Sequence, residues 1–285
     1  MSAGTREPAG PSRRPRSTPP SRMLVYGCAV LFTLFMLTPL YLVVLAAFSP
    51  RAAIFDYPRS IVPTAVSLDS MTFFLTSHGV LPAFGRSLLV GLLTVVLSLL
   101  LGCPAGYAIA RYSFHGRNLA QLLLVNVRAF PLAVLAIPLA VSFIELHLYD
   151  TVLSVAFLHT AMALPFTVLL TSSVFLRVPV ELEEAAMIFG TSKLGAVVRV
   201  VLPNSVPGLA AAALFAFVLS WNEVFGAAVL TQQSTTLPAA LVQALSNSPL
   251  PFKYAGGLAL TVPAFVFIFF MRPYLFSAFR GLGAH

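Results

Sequence analysis

Residues 178–209, VPVELEEAAMIFGTSKLGAVVRVVLPNSVPGL, form the longest polar-bearing interruption in the second half of a very apolar chain. The spacing predicts two short amphipathic helices joined at a glycine. Pro179 suits a first helical position, where its missing N–H costs nothing. Glu181, Glu183 and Glu184 then lie near the positive end of the helix dipole. Leu182, Ala185, Ala186 and Phe189 follow the i, i+3, i+4, i+7 spacing of one helical face. Gly190 can adopt the left-handed conformation that closes a helix, and Thr191 or Ser192 can cap the next. The second helix repeats the spacing with Leu194, Val197, Val198 and Val201, and Pro203 is expected to stop it. A compact helix–turn–helix between two apolar runs has the character of a docking element.

Those apolar runs set the class. The 285 residues are 58% hydrophobic and 9% charged, against about 25% charged in a soluble domain. The expected fold is therefore all-α, a polytopic membrane protein with about six transmembrane helices and a cytoplasmic coupling helix pair. Runs at about 23–48, 87–110, 119–146, 152–175, 206–230 and 255–276 are long enough to cross a hydrocarbon core of about 30 Å. Pro131, Pro138 and Pro165 predict kinks that neighbouring helices must accommodate. The run over 23–48 is too long for a signal-peptide core and lacks a convincing cleavage site, so it is read as a retained span. The organisation expected is a disordered cytoplasmic tail over 1–22, a first span with its outer loop over 23–86, a transmembrane domain over 87–280 containing the coupling loop 178–204, and a short tail over 281–285.

The net charge of +8 follows the same logic. Five of the seventeen Lys/Arg lie in the first 22 residues and most of the others are scattered at span ends and in loops, with no basic stripe interleaved with exposed aromatics. Nucleic acid is excluded as a partner on that ground, and membrane lipid is implied. With the N-terminus inside, the inner segments hold Arg6, Arg13, Arg14, Arg16, Arg22, Arg111, Arg117, Arg177, Lys193, Arg199 and Arg280. The outer loops hold Arg51, Arg59, Arg86 and Lys253. This asymmetry places both termini and the 178–204 loop in the cytoplasm.

The loop carries a resemblance. Glu184-Ala185-Ala186, Gly190, Val200 and Leu202-Pro203 stand in register with the cytoplasmic signature of bacterial ABC importer permeases. The flanks, Val178-Pro179-x-Glu181-Leu182-Glu183 and Pro207-Gly208-Leu209, are similar to the carbohydrate-type permeases related to the maltose importer. So are Ala110-Arg111-Tyr112-x-Phe114-x-Gly116-Arg117 and Ser220-Trp221-Asn222-Glu223. The resemblance spans residue 87 to the C-terminus. It implies a non-catalytic subunit of an ATP-driven sugar or polyol importer in the bacterial inner membrane. Its implied partners are a second related permease, an ABC ATPase dimer holding ATP and Mg, and an extracytoplasmic solute-binding protein. Glu184 would give a charged contact to the ATPase, Ala185 and Ala186 a close approach, and Gly190 the turn. Phe189 departs from the pattern, since relatives usually carry Asp there; a phenyl ring can pack in the ATPase groove or onto the bundle. The tail Arg280-Gly281-Leu282-Gly283-Ala284-His285 departs from it as well.

The chain has no nucleotide site of its own. Gly190-Thr191-Ser192-Lys193 lacks the spacing of a phosphate-binding loop and no strand precedes it. Histidines at 78, 115, 147, 159 and 285 are dispersed, and neither HExxH nor GxSxG occurs, so no catalytic or metal constellation is expected. His159 reads as a packing residue, and solvation accounts for Glu145, His147 and Asp150. Inside the spans, Trp221, Asn222 and Glu223 interrupt the fifth run; they either line the translocation pathway or form an interhelical hydrogen bond. Arg128 lies about 13 Å along the third span, whereas Glu223 lies about 25 Å from the same face, which argues against a direct pair. Arg128 either meets a polar substrate or snorkels along a cavity. A self-standing secondary transporter or channel is the rival class, but it would show inverted repeats and leave the helix pair unexplained.

Overall fold

The computed structural model describes residues 19–55, 60–63, 65–244 and 247–280. The chain runs α1 (Pro19–Ala47), α2 (Asp69–Thr76), α3 (Val80–Arg111), α4 (Arg117–Asn126), α5 (Leu132–Glu145), α6 (Val152–Phe175), α7 (Val180–Ile188), α8 (Lys193–Ala196), α9 (Leu202–Asn222), α10 (Phe225–Leu230), α11 (Leu237–Ala244) and α12 (Leu250–Arg280). No strand occurs among the described residues. Five helical stretches are long and apolar enough to cross a membrane, and a bent pair, Arg117–Ala129 with Leu132–Glu145, makes a sixth crossing if read as one span. The first helix begins at Pro19, four residues into the segment read as a tail. Residues 1–18 and 281–285, the rest of the two expected tails, lie outside the described residues.

The bundle is built on α3, α6 and α9, and small residues let them approach. On α3, Ser87, Gly91, Thr94, Ser98, Gly102 and Gly106 recur at helical spacing and are all buried. Membrane helices gain little from apolar burial against each other, so close van der Waals contact along such a face holds them together. A Cβ on Gly102 would stand 2.7 Å from Thr167 Cγ2, and one on Gly106 would fall on Thr171. Across this seam the Thr171 hydroxyl donates to the Gly102 carbonyl at 3.0 Å. By contrast α1 is almost wholly exposed, with Leu31, Phe32 and Phe35 all more than 60% accessible. It lies against α12.

Three expectations are corrected. The third span is not a kinked rod: its halves meet at 94°. Pro131 cannot donate to the preceding turn, and Phe130 takes the extended conformation a proline imposes on its neighbour. Pro203 does not stop a helix. The turn before it, Val197–Val201, widens to a π-helix, which accommodates a residue unable to donate. Lys193–Asn222 is thus one continuous 30-residue helix. The fifth span ends at Asn222, and Glu223 and Val224 separate it from α10.

Candidate functional site: an exposed turn and the polar groups behind it

The turn is set by its local chemistry. Pro179 sits just outside α7 as its N-cap, one position earlier than expected, with φ −57° and ψ 134°. Glu181 and Glu183 occupy the first helical turn. Gly190 has φ +87°, a conformation that glycine adopts without the Cβ clash other residues meet. The Thr191 N–H then returns to the Ala186 carbonyl at 3.0 Å. Ser192 is the cap of α8, its hydroxyl accepting from the Gly195 N–H at 3.2 Å.

Burial divides the loop into two faces. Glu183 is the inward carboxylate, 5% exposed. It accepts from Tyr107 Oη at 2.6 Å and from Arg111 Nε at 2.6 Å. Arg111 also donates to the Val178 carbonyl at 2.8 Å, closing a clamp between the end of α3 and the start of α7. Lys193 Nζ lies 4.5 Å over the Tyr112 ring, a second tie from the loop to the same helix end. On the outer face, Glu184 and Ala185 are exposed and Ala186 is half-buried. Ile188, Phe189 and Leu194 are 84%, 89% and 74% exposed. The Phe189 ring therefore does not pack onto the bundle. Leu202 is half-buried and Pro203 exposed at the base of the long helix.

The four polar or aromatic positions expected near the pathway fall into two pairs. Trp221 is 3% exposed; its indole N–H donates to the Leu260 carbonyl at 2.8 Å, and its ring stacks at 5.8 Å on Phe217. Glu223 closes the break after α9. Its carboxylate accepts the Gly226 and Ala227 N–H groups at 2.7 and 3.0 Å, which caps α10. It also meets His159 Nε2 at 3.0 Å, while His159 Nδ1 meets the Ser220 hydroxyl at 2.8 Å. His159 is fully buried, but it is more than the packing residue expected: it makes with Glu223 the interhelical hydrogen bond that was one of the two readings of that carboxylate. The other pair faces outward. Asn222 is exposed and bonds back to the Val218 carbonyl at 2.8 Å. Arg128 is exposed at the elbow of the bent span, 5.9 Å over both the Phe166 and Phe215 rings.

Solvation does not account for Asp150. One of its carboxylate oxygens accepts the N–H groups of Gln232, Gln233 and Ser234 at 2.8, 3.0 and 2.9 Å. Beside it, Arg86 Nε donates to the Thr235 carbonyl at 2.9 Å and Ser87 Oγ accepts from the Leu237 N–H at 2.7 Å. The segment after α10 is thereby fastened to α3 and to the start of α6. Partial burial works against the Asp150 charge most strongly of any single effect. The three N–H groups and the nearby Arg86 together outweigh it, and the carboxyl is held below the usual carboxylate range. Among the described residues no three His, Cys, Asp or Glu side chains gather as metal ligands.

The Glu183 clamp and the capping role of Glu223 were missed from sequence. Arg111 stood within the quoted Ala110–Arg117 string, and an arginine ending a long apolar helix is the signal that could have sent the search for its acidic partner.

An all-α bundle of membrane-length helices with an exposed apolar turn is the architecture of a multispan membrane subunit. Residues 98–272 match the family described as the binding-protein-dependent transport system inner membrane component, and the chain belongs to that family. It is 31% identical over 245 residues to the arabinooligosaccharides transport system permease of Halalkalibacterium halodurans, covering 83% of this chain and 87% of that one. It is 29% identical over 249 residues to the trehalose transport system permease of Mycobacterium tuberculosis, covering 84% and 90%. Its fold resembles a chain of a bacterial ABC transporter involved in import of the acidic polysaccharide alginate, with TM-score 0.73 and 21% identity over 92% of this chain and all of that one.

Proposed function

We propose that this chain is one of two transmembrane subunits of an ATP-driven importer for a sugar or related polyol, with both termini in the cytoplasm. The observation that carries the reading is the turn at Gly190: an exposed apolar and acidic surface, Glu184, Ile188, Phe189 and Leu194, held rigidly from behind by Arg111 and Glu183. Exposed apolar surface on a well-ordered cytoplasmic element marks a protein interface. Its occupant in this reading is an ABC ATPase subunit, which binds ATP and Mg; this chain holds neither. The saccharide class follows from the relatives named above, and a solute-binding protein delivers it at the outer face.

The geometry suits a lever. Lys193–Asn222 is continuous from the turn to the break at Glu223, a rod of about 45 Å. Displacing the turn when the ATPase dimer closes swings α9 and, through the Arg111 clamp, the end of α3. A shift of this kind needs the ATPase to engage the two arrangements with different free energy. The test is affinity purification of the tagged protein in mild detergent. An ATPase and a second permease should accompany the wild type, and the ATPase should be lost from Glu184→Lys. Recovery of the chain alone, moving solute in liposomes without ATP, would overturn the reading.

A further inference from the structure

Arg128 is a permanent charge at mid-depth with no residue among those described to neutralise it. It stands beside Phe166, which is about 14 Å from the inner end of α6 and about 21 Å from the outer end. An arginine arm does not bridge either distance, so snorkelling to a lipid headgroup is closed to it. Among the described residues no carboxylate and no hydrogen-bond acceptor meets its guanidinium. Its contacts are Phe166 and Phe215, two rings packed on each other at 3.8 Å, with the guanidinium beside the pair at 5.9 Å from both centroids. Those rings orient it and leave its N–H groups free. A charge kept at such depth faces a partner group or a watery cavity.

A cavity is present. The 94° elbow opens a space of about 370 Å³ beside Arg128, with the exposed rings of Phe130 and Phe157 on its wall. This is the scale of a small-ligand pocket, largely apolar with one fixed polar group. Aromatic faces suit the C–H-rich face of a pyranose ring. The planar guanidinium suits an oxyanion, which it can take through two parallel N–H donors.

We propose that Arg128 and the aromatic wall of the elbow form a substrate subsite for the anionic group of an acidic saccharide, a carboxylate, sulfonate or phosphate carried on the sugar. This rests on the importer reading and adds the charge of the cargo to it.

The test uses the complete transporter in liposomes loaded with ATP, with a labelled uronate-containing oligosaccharide and its neutral counterpart of the same linkage as probes. The wild type should take up the uronate probe. Arg128→Gln should lower that uptake by about tenfold or more, and Arg128→Lys should fall between it and the wild type, because lysine keeps the charge but not the two parallel donors. ATPase activity stimulated by the binding protein should persist in Arg128→Gln. Wild-type uptake of the neutral probe alone would overturn the subsite and leave the importer standing. Equal loss of uptake and ATPase activity in Arg128→Gln would also overturn it, marking a contact with the second permease instead. Failure of the wild type to take up any probe with ATP, with no ATPase bound, would overturn both.

Discussion

Arg111 and Glu183 meet at 2.5 Å with only 8% and 7% of their side chains accessible, which makes the turn at Gly190 an extension of α3 rather than a loose loop. Breaking one partner of such a buried pair leaves an uncompensated charge, at a cost of about 3–5 kcal/mol. Glu183→Gln keeps an acceptor for Tyr107 but strips Arg111 of its counter-charge. It should lower the thermal unfolding midpoint in detergent and disconnect ATP hydrolysis from uptake. The exchange Arg111→Glu with Glu183→Arg should recover part of both, whereas a loss in Glu183→Gln no larger than that of a surface substitution would show the clamp to be unimportant.

Phe189 makes the opposite prediction. Being 89% exposed, it contributes little to folding, and Phe189→Ser should change stability by no more than about 0.5 kcal/mol. If the turn docks on an ATPase, the same variant should release that subunit on a size-exclusion column. Unchanged association would remove the ring from the interface.

His159 ties α6 to the last turn of α9 through Ser220 and to the break that follows through Glu223. His159→Leu leaves a buried hydroxyl and a buried carboxylate short of partners, at a cost of about 1–3 kcal/mol or more. His159→Gln can keep one of the two bonds. Leu should therefore be the more damaging of the two in thermal unfolding, despite its apolar surroundings; the reverse order would mean that Glu223 is held by the α10 N–H groups alone.

Much of this arrangement was legible from periodicity and punctuation. Length and hydropathy located the spans, and Gly190 located the turn, because both are local properties. The direction of the elbow was not: Pro131 announces a lost hydrogen bond, while the 94° angle depends on how α5 packs against α10. Nor was the fate of Pro203, whose missing N–H the π turn absorbs one turn earlier. Glu183 and Glu184 are neighbours of identical chemistry, and the apolar spacing of Leu182, Ala185, Ala186 and Phe189 turns neither of them inward. Which one turns inward depends on Arg111, 72 residues away. The His159 and Glu223 pair spans 64 residues and is equally non-local.

The α3 seam is sensitive to single carbon atoms. At Gly102 an added Cβ would stand 2.7 Å from Thr167 Cγ2, too close without a shift of α6. Gly102→Ala should destabilise by about 1–3 kcal/mol, the range for overpacking. Gly85, on the same helix, has open space around it, so Gly85→Ala is the control and should be neutral or slightly stabilising. Equal effects on the detergent unfolding midpoint would contradict close packing at the seam.

Asp150 carries the one pH dependence that can be given a sign. Against the opposing effect of burial, three backbone N–H groups and Arg86 hold its carboxyl below the ordinary value in the folded protein. An aspartate released from the fold takes up its proton near pH 4. The anchoring contribution is therefore fully present above about pH 4 and is lost as pH falls through the lower folded value. Limited proteolysis of the segment after α10 should be slow and flat from pH 8 to about pH 5, then accelerate in stronger acid with an acid-stable protease. Asp150→Ala should be cleaved fast at every pH, because the N–H groups of Gln232, Gln233 and Ser234 lose their common acceptor. Asp150→Asn retains an oxygen for those bonds without the charge, so it should be intermediate and lose the acid-dependent rise. A rise that survives in Asp150→Asn would assign the transition to another group.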